Sequence, residues 1–313
     1  MIVAIESLLP SLLLIALGFG LARTPLFPTG GWDSVERLNY YVLYPTLLFV
    51  SVVRADLSAA PIFAMALAMA LGVLTVAAAM AASRPLWSRA GIDGPAFTSH
   101  LQGAIRYNTA IALGVAGALF GAEGLALTAL GTIAIVPLVN VISVAALASL
   151  ASSRRPTPRR VLTEIALNPL ILATVAGALV NAAGLPLYRP LVETLDLLGR
   201  GALSLALLLV GVGLRPQSLA PPRPNVGLGV VVKLLVTPLV MFGYARLLGV
   251  EGVALAAIVI SGAVPTASSA YVLARRMGGD ADLMAALITA QTIAAYATLP
   301  IVLWIAGGTG APP

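Results

Sequence analysis

The sequence predicts an all-α polytopic membrane protein: ten transmembrane helices in a 5+5 inverted repeat, with the fourth and ninth broken and crossing. Three observations carry the expectation. The 313 residues are 59% hydrophobic and 10% charged, with a mean hydropathy of +1.00, whereas ordinary soluble domains are about 25% charged. Apolar runs close to the roughly 20 residues a spanning helix needs recur along the chain, and the spacers between them are too short for a soluble domain. A basic stretch, RRPTPRR at 154–160, parts the runs five and five.

In order, the segments fall at about 3–22, 38–53, 60–82, 96–120, 125–149, 164–183, 197–214, 226–248, 252–275 and 283–306. They show no two-residue alternation, and their Ala, Leu and Gly content favours helices over a barrel. The first has no basic stretch before it and no cleavage site after it, so it reads as a retained helix. The second and seventh are the shortest, and Pro45 interrupts the second; short or broken helices at matching positions point towards a binding site.

The division gives residues 1–150 as one repeat, 151–163 as a basic cytoplasmic linker and 164–313 as the other. An odd number of helices per half makes the second copy enter the membrane inverted. Short matches recur in the same order. Pro10 and Gly18 answer to Pro169 and Gly177, SVVRADLSAAP to VGLRPQSLAPP with Arg54 on Arg215, NTA at 108–110 to PTA at 265–267, and TIA at 132–134 to TIA at 292–294.

Charge sets the orientation. If the ten helices alternate, one set of loops holds twelve arginines and the opposite set holds Arg54, Arg189 and Arg246. The positive-inside rule then puts the rich side in the cytoplasm of a cell (inner) membrane protein with both termini outside. The net charge of +6 is thereby a topology signal and not a nucleic-acid footprint. There is no cysteine, so thiolate metal sites are excluded, and no cofactor or metal is expected.

The polar residues inside the runs carry the functional expectation. Arg106 lies eleven residues past Pro95, about 16 Å into a hydrocarbon core of about 30 Å. A cation there is costly and marks a functional site by default. Gln102, Arg106 and Thr109 would share one helical face, with Asn108 beside them. In the ninth segment Pro265 should kink or unwind the helix, leaving Thr266, Ser268 and Ser269 to bond freed backbone groups or a ligand. Two broken helices meeting at midplane would present half-helix N-termini, which favour an anion. Lys233 reads as a residue that reaches the cytoplasmic interface, and His100 as structural or surface-exposed. Gly117 and Gly121 form a GxxxG, read as close helix packing.

All twelve acidic residues fall at segment ends or in loops. A buried cation without a buried acid predicts an anionic substrate. No catalytic triad, HExxH or phosphate-binding glycine loop is present, so no enzyme is expected.

With these residues in view, the chain resembles the auxin efflux carrier family, bacterial PIN-like members included. The resemblance rests on LNYYVLYPTLLF at 38–49, RYNTAIAL at 106–113, IVPLVNVISV at 135–144, NPLILATVAGALV at 168–180, KLLVTPLV at 233–240 and SGAVPTASSAYVLARRMGGD at 261–280. It implies a scaffold of helices 1, 2, 6 and 7, often dimeric, and a transport domain of helices 3–5 and 8–10 that moves against it. It implies Asn108 and Pro265 at the crossing and Asn140 as the polar position of the fifth helix. Many relatives carry a proline shortly after the asparagine; here Gly114 and Gly117 would have to permit the break.

The function expected is secondary transport of a small organic anion, a carboxylate or dicarboxylate, by elevator-type alternating access. Substrate would lie between Arg106, Asn108 and Thr109 on one crossing helix and Pro265, Thr266 and Ser268 on the other. Asn140 and Gln291 would border it, with Tyr44 reaching from the scaffold. The rival readings are an anion channel and a membrane-embedded ligand sensor. The partners expected are the anion, the bilayer and a second copy of the chain.

Overall fold

The computed structural model describes residues 2–25, 27, 30–56, 60–151, 163, 166–220 and 224–305. The linker arginines Arg154, Arg155, Arg159 and Arg160 lie outside the described residues, as does Arg223. Among the described residues every regular element is helical: α1 (Ile2–Leu21), α2 (Gly31–Leu38), α3 (Tyr44–Arg54), α4 (Ile62–Ala82), α5 (Arg84–Arg89), α6 (Gly94–Ile105), α7 (Thr109–Leu150), α8 (Pro169–Ala182), α9 (Arg189–Arg200), α10 (Ala202–Val212), α11 (Pro224–Val231), α12 (Thr237–Leu247), α13 (Gly252–Ala263), α14 (Ser269–Met277) and α15 (Ala281–Ile305). Among the described residues five stretches are long and apolar enough to cross a membrane: Ile62–Ala82, Gly94–Leu150, Arg189–Val212, Asn225–Leu247 and Ala281–Ile305. Leu9–Leu21, Pro169–Ala182 and Gly252–Ala263 are apolar but shorter.

Prolines shape the helices in a repeated way. A π-turn at Asn39–Leu43 joins α2 to α3, and another at Val232–Val236 joins α11 to α12. Each ends two residues before a proline, Pro45 or Pro238. A proline ring crowds the carbonyl four residues earlier and brings no N–H of its own, so a widened turn at that point relieves the clash. Pro45 therefore does not end the second segment. The helical path runs from Gly31 to Arg54, and Arg189–Val212 is likewise a long stretch. The expectation that these two segments are short is corrected: each is preceded by an amphipathic helix, GWDSVERL or RPLVETLDLLGR, that lies largely outside the uninterrupted apolar run.

Glycine permits the closest crossings. A methyl group on Gly18 of α1 would lie 1.9 Å from the carbonyl oxygen of Leu208 on α10, and one on Gly211 would lie 1.9 Å from that of Ile15. In the same manner α8 crosses α3, with Gly177 against the Phe49 carbonyl. Asn181 of α8 then donates its amide to the carbonyls of Val52, Val53 and Ala55 at 3.0, 3.0 and 2.8 Å. Carbonyls at the end of a helix need such partners; that of Val52 also accepts from the Ala55 N–H at 3.3 Å. So α1, α3, α8, α9 and α10 pack as one group.

In a second group α13 packs on α7 and α12, α12 on α4, and α15 on α6 and α11. Its core includes Met65, Met69, Val73, Phe97, Ile105, Ile258 and Val259. The two groups meet where Tyr44, Leu48, Ala202 and Ala206 contact Leu113, Ala129 and Leu130 of α7. Gly114 lets Leu207 of α10 approach. Neither Gly114 nor Gly117 breaks a helix, which corrects that expectation. Gly121 is the turn inside α7, at φ 60° and ψ −145°, so the GxxxG reading fails there.

The bounds of the elements repeat. Gly31, Tyr44, Arg54, Gly94 and Ile105 delimit helices in the first half, and Arg189, Ala202, Val212, Gly252 and Ala263 do so in the second, always 158 residues on. The pairing of Arg54 with Arg215 is thus out of register by three residues; Arg54 answers to Val212.

Candidate functional site

Two helices stop in mid-run and resume in a new direction. The first, α6, starts at an Asp93 cap whose carboxylate accepts from the Ala96 N–H, and it ends at Ile105. Arg106 is extended (φ −77°, ψ 153°), and α7 begins only after Asn108. The second, α13, ends at Ala263; Val264 is extended in the same way (φ −78°, ψ 155°), and α14 begins at Ser269. Pro265 explains the second break, because it cannot donate to the helix. Asn108 explains the resumption after the first: its side-chain oxygen accepts from the N–H groups of Ala110 and Ile111 at 3.1 and 3.3 Å, the geometry of an N-cap.

The breaks touch. The Asn108 N–H donates to the Pro265 carbonyl at 2.7 Å. Around that bond, Gln291 of α15 acts as a clamp: its side-chain oxygen accepts from the Thr266 N–H at 2.9 Å, and its amide nitrogen donates to the carbonyls of Gly103 at 3.1 Å and Gly229 at 3.3 Å. The Thr266 hydroxyl donates to the same Gly103 carbonyl at 2.8 Å. Thr266 and Gln291 are both fully buried. They thus pair backbone groups beside both breaks, and one on α11, each of which would cost about 1–3 kcal/mol if left unpaired.

Arg106 is 8% exposed. Its guanidinium donates to the Asn140 side-chain oxygen at 2.7 Å and to the Ser269 hydroxyl at 3.0 Å, while Nε is buried without a partner. Both partners are neutral. Among the described residues no carboxylate is shown paired with it; ion pairs elsewhere include Arg54–Asp196, Arg189–Glu193, Arg200–Asp196 and Arg246–Glu251. The charge is held in place but not neutralised.

The other expected positions fall as follows. Asn140, which the resemblance puts at the border of the site, accepts a hydrogen bond from the Arg106 guanidinium. Ser269, not Ser268, reaches the guanidinium; Ser268 is exposed and sits beside Gly213 at the end of α10. Thr109 is the half-buried first residue of α7. Tyr44 is buried against α7 and α10, its hydroxyl unpartnered. The stripe of Gln102, Arg106 and Thr109 does not exist, because the helix ends between its first two members; Gln102 is buried with both amide atoms unpartnered. Nor are both half-helix N-termini open: Asn108 occupies that of α7, whereas no side chain caps α14. Lys233 is 0% exposed and its ammonium has no hydrogen-bond partner, which corrects the expectation that it reaches the interface. His100 is buried as well, its ring 4.7 Å from that of Trp87.

The model of a family described as membrane transport protein matches residues 122–304. The chain belongs to this family, the auxin efflux carrier transporters. It is therefore a multi-pass membrane transporter and not an enzyme. An uncharacterized transporter of Methanothermobacter thermautotrophicus (strain Delta H) is 25% identical over 304 residues, which span 95% of this chain and 96% of that protein. A Rhizobium meliloti (strain 1021) protein named "Putative malonate transporter" is 27% identical over 146 residues, 46% of each chain.

Proposed function

We propose that this family member is a secondary transporter for a small carboxylate or dicarboxylate anion, held at the crossing of the two broken helices. The observation that carries the reading is the Arg106 guanidinium: buried, fixed by two neutral side chains, and without a counter-charge among the described residues. A desolvated cation in that state is stabilised by an incoming anion, whose own dehydration the charge-assisted hydrogen bonds offset. The start of α14, which has no side-chain cap and whose first residue is Ser269, adds partial positive charge beside it.

In this reading the chain spans the membrane ten times as two inverted five-helix halves. The constant spacing of helix bounds supports it, as does the way α1 on α10 mirrors α8 on α3. The helices of segments 1, 2, 6 and 7 serve as a scaffold that pairs two protomers, and those of segments 3–5 and 8–10 carry the anion past it in an elevator motion. Both termini lie outside the cell membrane, and the linker lies inside. The relative's name supports malonate as the first probe.

The test is malonate counterflow in vesicles reconstituted with purified protein. Saturable uptake that internal malonate accelerates is the expected result. Flux that rises linearly with concentration and ignores internal malonate would favour a channel, and binding without flux would favour a sensor.

A further inference from the structure

Away from the crossing, α4, the short helix α5 and the face made by α11 and α12 enclose a cavity of about 910 Å3. Val76, Ala79, Met80, Trp87, Leu228 and Val236 are among its walls. Its few polar groups are mostly spent. The Thr75 hydroxyl bonds that of Tyr244 at 2.8 Å, and the Ser83 hydroxyl donates to the Met80 carbonyl while accepting from the Trp87 indole at 3.0 Å. Water entering would find almost nothing to bond, and a small carboxylate would be stranded. The rim is open to the surroundings, with Leu86 62% and Leu228 50% exposed. In a membrane transporter those surroundings are hydrocarbon.

The cavity has polar neighbours. Asn225 lines it, and α5 supplies two cations. Arg84 is committed, donating to the Ile92 carbonyl at 3.2 Å and lying 5.0 Å from the Phe97 ring. Arg89, one residue before the lining Ala90, is exposed. An apolar slot with an exposed arginine next in sequence to one of its lining residues matches a molecule with a long alkyl chain and an anionic head. We infer that this cavity holds an acyl chain of an anionic membrane phospholipid, whose phosphate meets Arg89.

The occupant would touch the supports of the crossing. Val232 and Val236 line the cavity on one face of the π-turn that carries Lys233. The next residue, Thr237, donates to the Ala104 carbonyl at 3.1 Å, two residues before Arg106. Trp87 stacks on His100 of the same helix α6. The lipid thus braces the last turn of α6 from outside, a role independent of which anion is carried.

Trp87 supplies the readout, since the chain has only three tryptophans. A Trp32→Phe, Trp304→Phe protein is reconstituted in phosphatidylcholine vesicles containing either phosphatidylglycerol or phosphatidylcholine with brominated chains. Brominated phosphatidylglycerol should quench Trp87 at a several-fold lower mole fraction. Arg89→Gln, an exposed change, should make the two lipids equal, and Ala79→Phe, which fills the slot, should remove most quenching by either. Equal quenching by the two lipids in the parent protein, a preference that survives Arg89→Gln, or quenching undiminished by Ala79→Phe would overturn the inference.

Discussion

The two breaks are alike up to the point where they open and different beyond it. Twelve-residue helices, Gly94–Ile105 and Gly252–Ala263, end on residues with nearly identical backbone angles, Arg106 and Val264. After that the first break takes two further residues before its helix resumes, and the second takes four. One carries a cation and closes its new helix with an asparagine cap. The other carries a proline and leaves its new helix without a side-chain cap. The first break carries the charge, and the second carries the serine that holds it, at the start of a helix without a side-chain cap.

If the breaks depend on each other through Gln291, removing the clamp should cost most. Gln291→Leu leaves the Thr266 N–H and the Gly229 carbonyl without this partner and takes one of two from Gly103, so a loss of about 3 kcal/mol is expected. Thermal or denaturant unfolding in detergent would reveal it, and an unchanged midpoint would show that the breaks hold themselves open. Moving the charge sharpens the same comparison. In an Arg106→Val, Val264→Arg protein the cation sits at the matching backbone position but lacks Asn140 and Ser269. Malonate affinity should remain at least about tenfold below the parent's, the loss of one charge-assisted hydrogen bond; full recovery would mean that location alone matters.

Asn108→Ala removes the cap of α7, with an expected loss of about 1 kcal/mol, whereas Ser268→Ala at the matching place should leave stability within about 0.5 kcal/mol. Ser269→Ala removes one neutral contact to the guanidinium and should weaken malonate binding only about threefold to tenfold, by a net hydrogen-bond energy of about 1 kcal/mol. Isothermal titration measures the latter.

Much of this was legible in the chain, for identifiable reasons. Composition alone fixes the membrane class, and a lone arginine beside asparagine, matched by a proline in the other half, marks where the helices part. What escaped was tertiary. Gln291 was expected to border the substrate; its bonds to the backbones of Gly103, Gly229 and Thr266 join chain segments far apart in sequence, so no local pattern announces that role. Lys233 looked like an interface residue because depth was judged from the segment end; the π-turn ahead of Pro238 instead turns it into the interior. The repeat was visible, but short similar strings such as NTA and PTA drew the eye to a register one residue away from the one the backbone follows. Ser269 was passed over for Ser268 because the length of the second break is set by packing and not by the proline.

The most direct test of the account is equilibrium binding of malonate to purified protein with Arg106 intact, replaced by Gln, and replaced by Ala. The account predicts a loss of about 100-fold for both replacements, the scale for removing one partner of a buried charge pair, while circular dichroism stays unchanged. Malonate bound equally well by all three would contradict it.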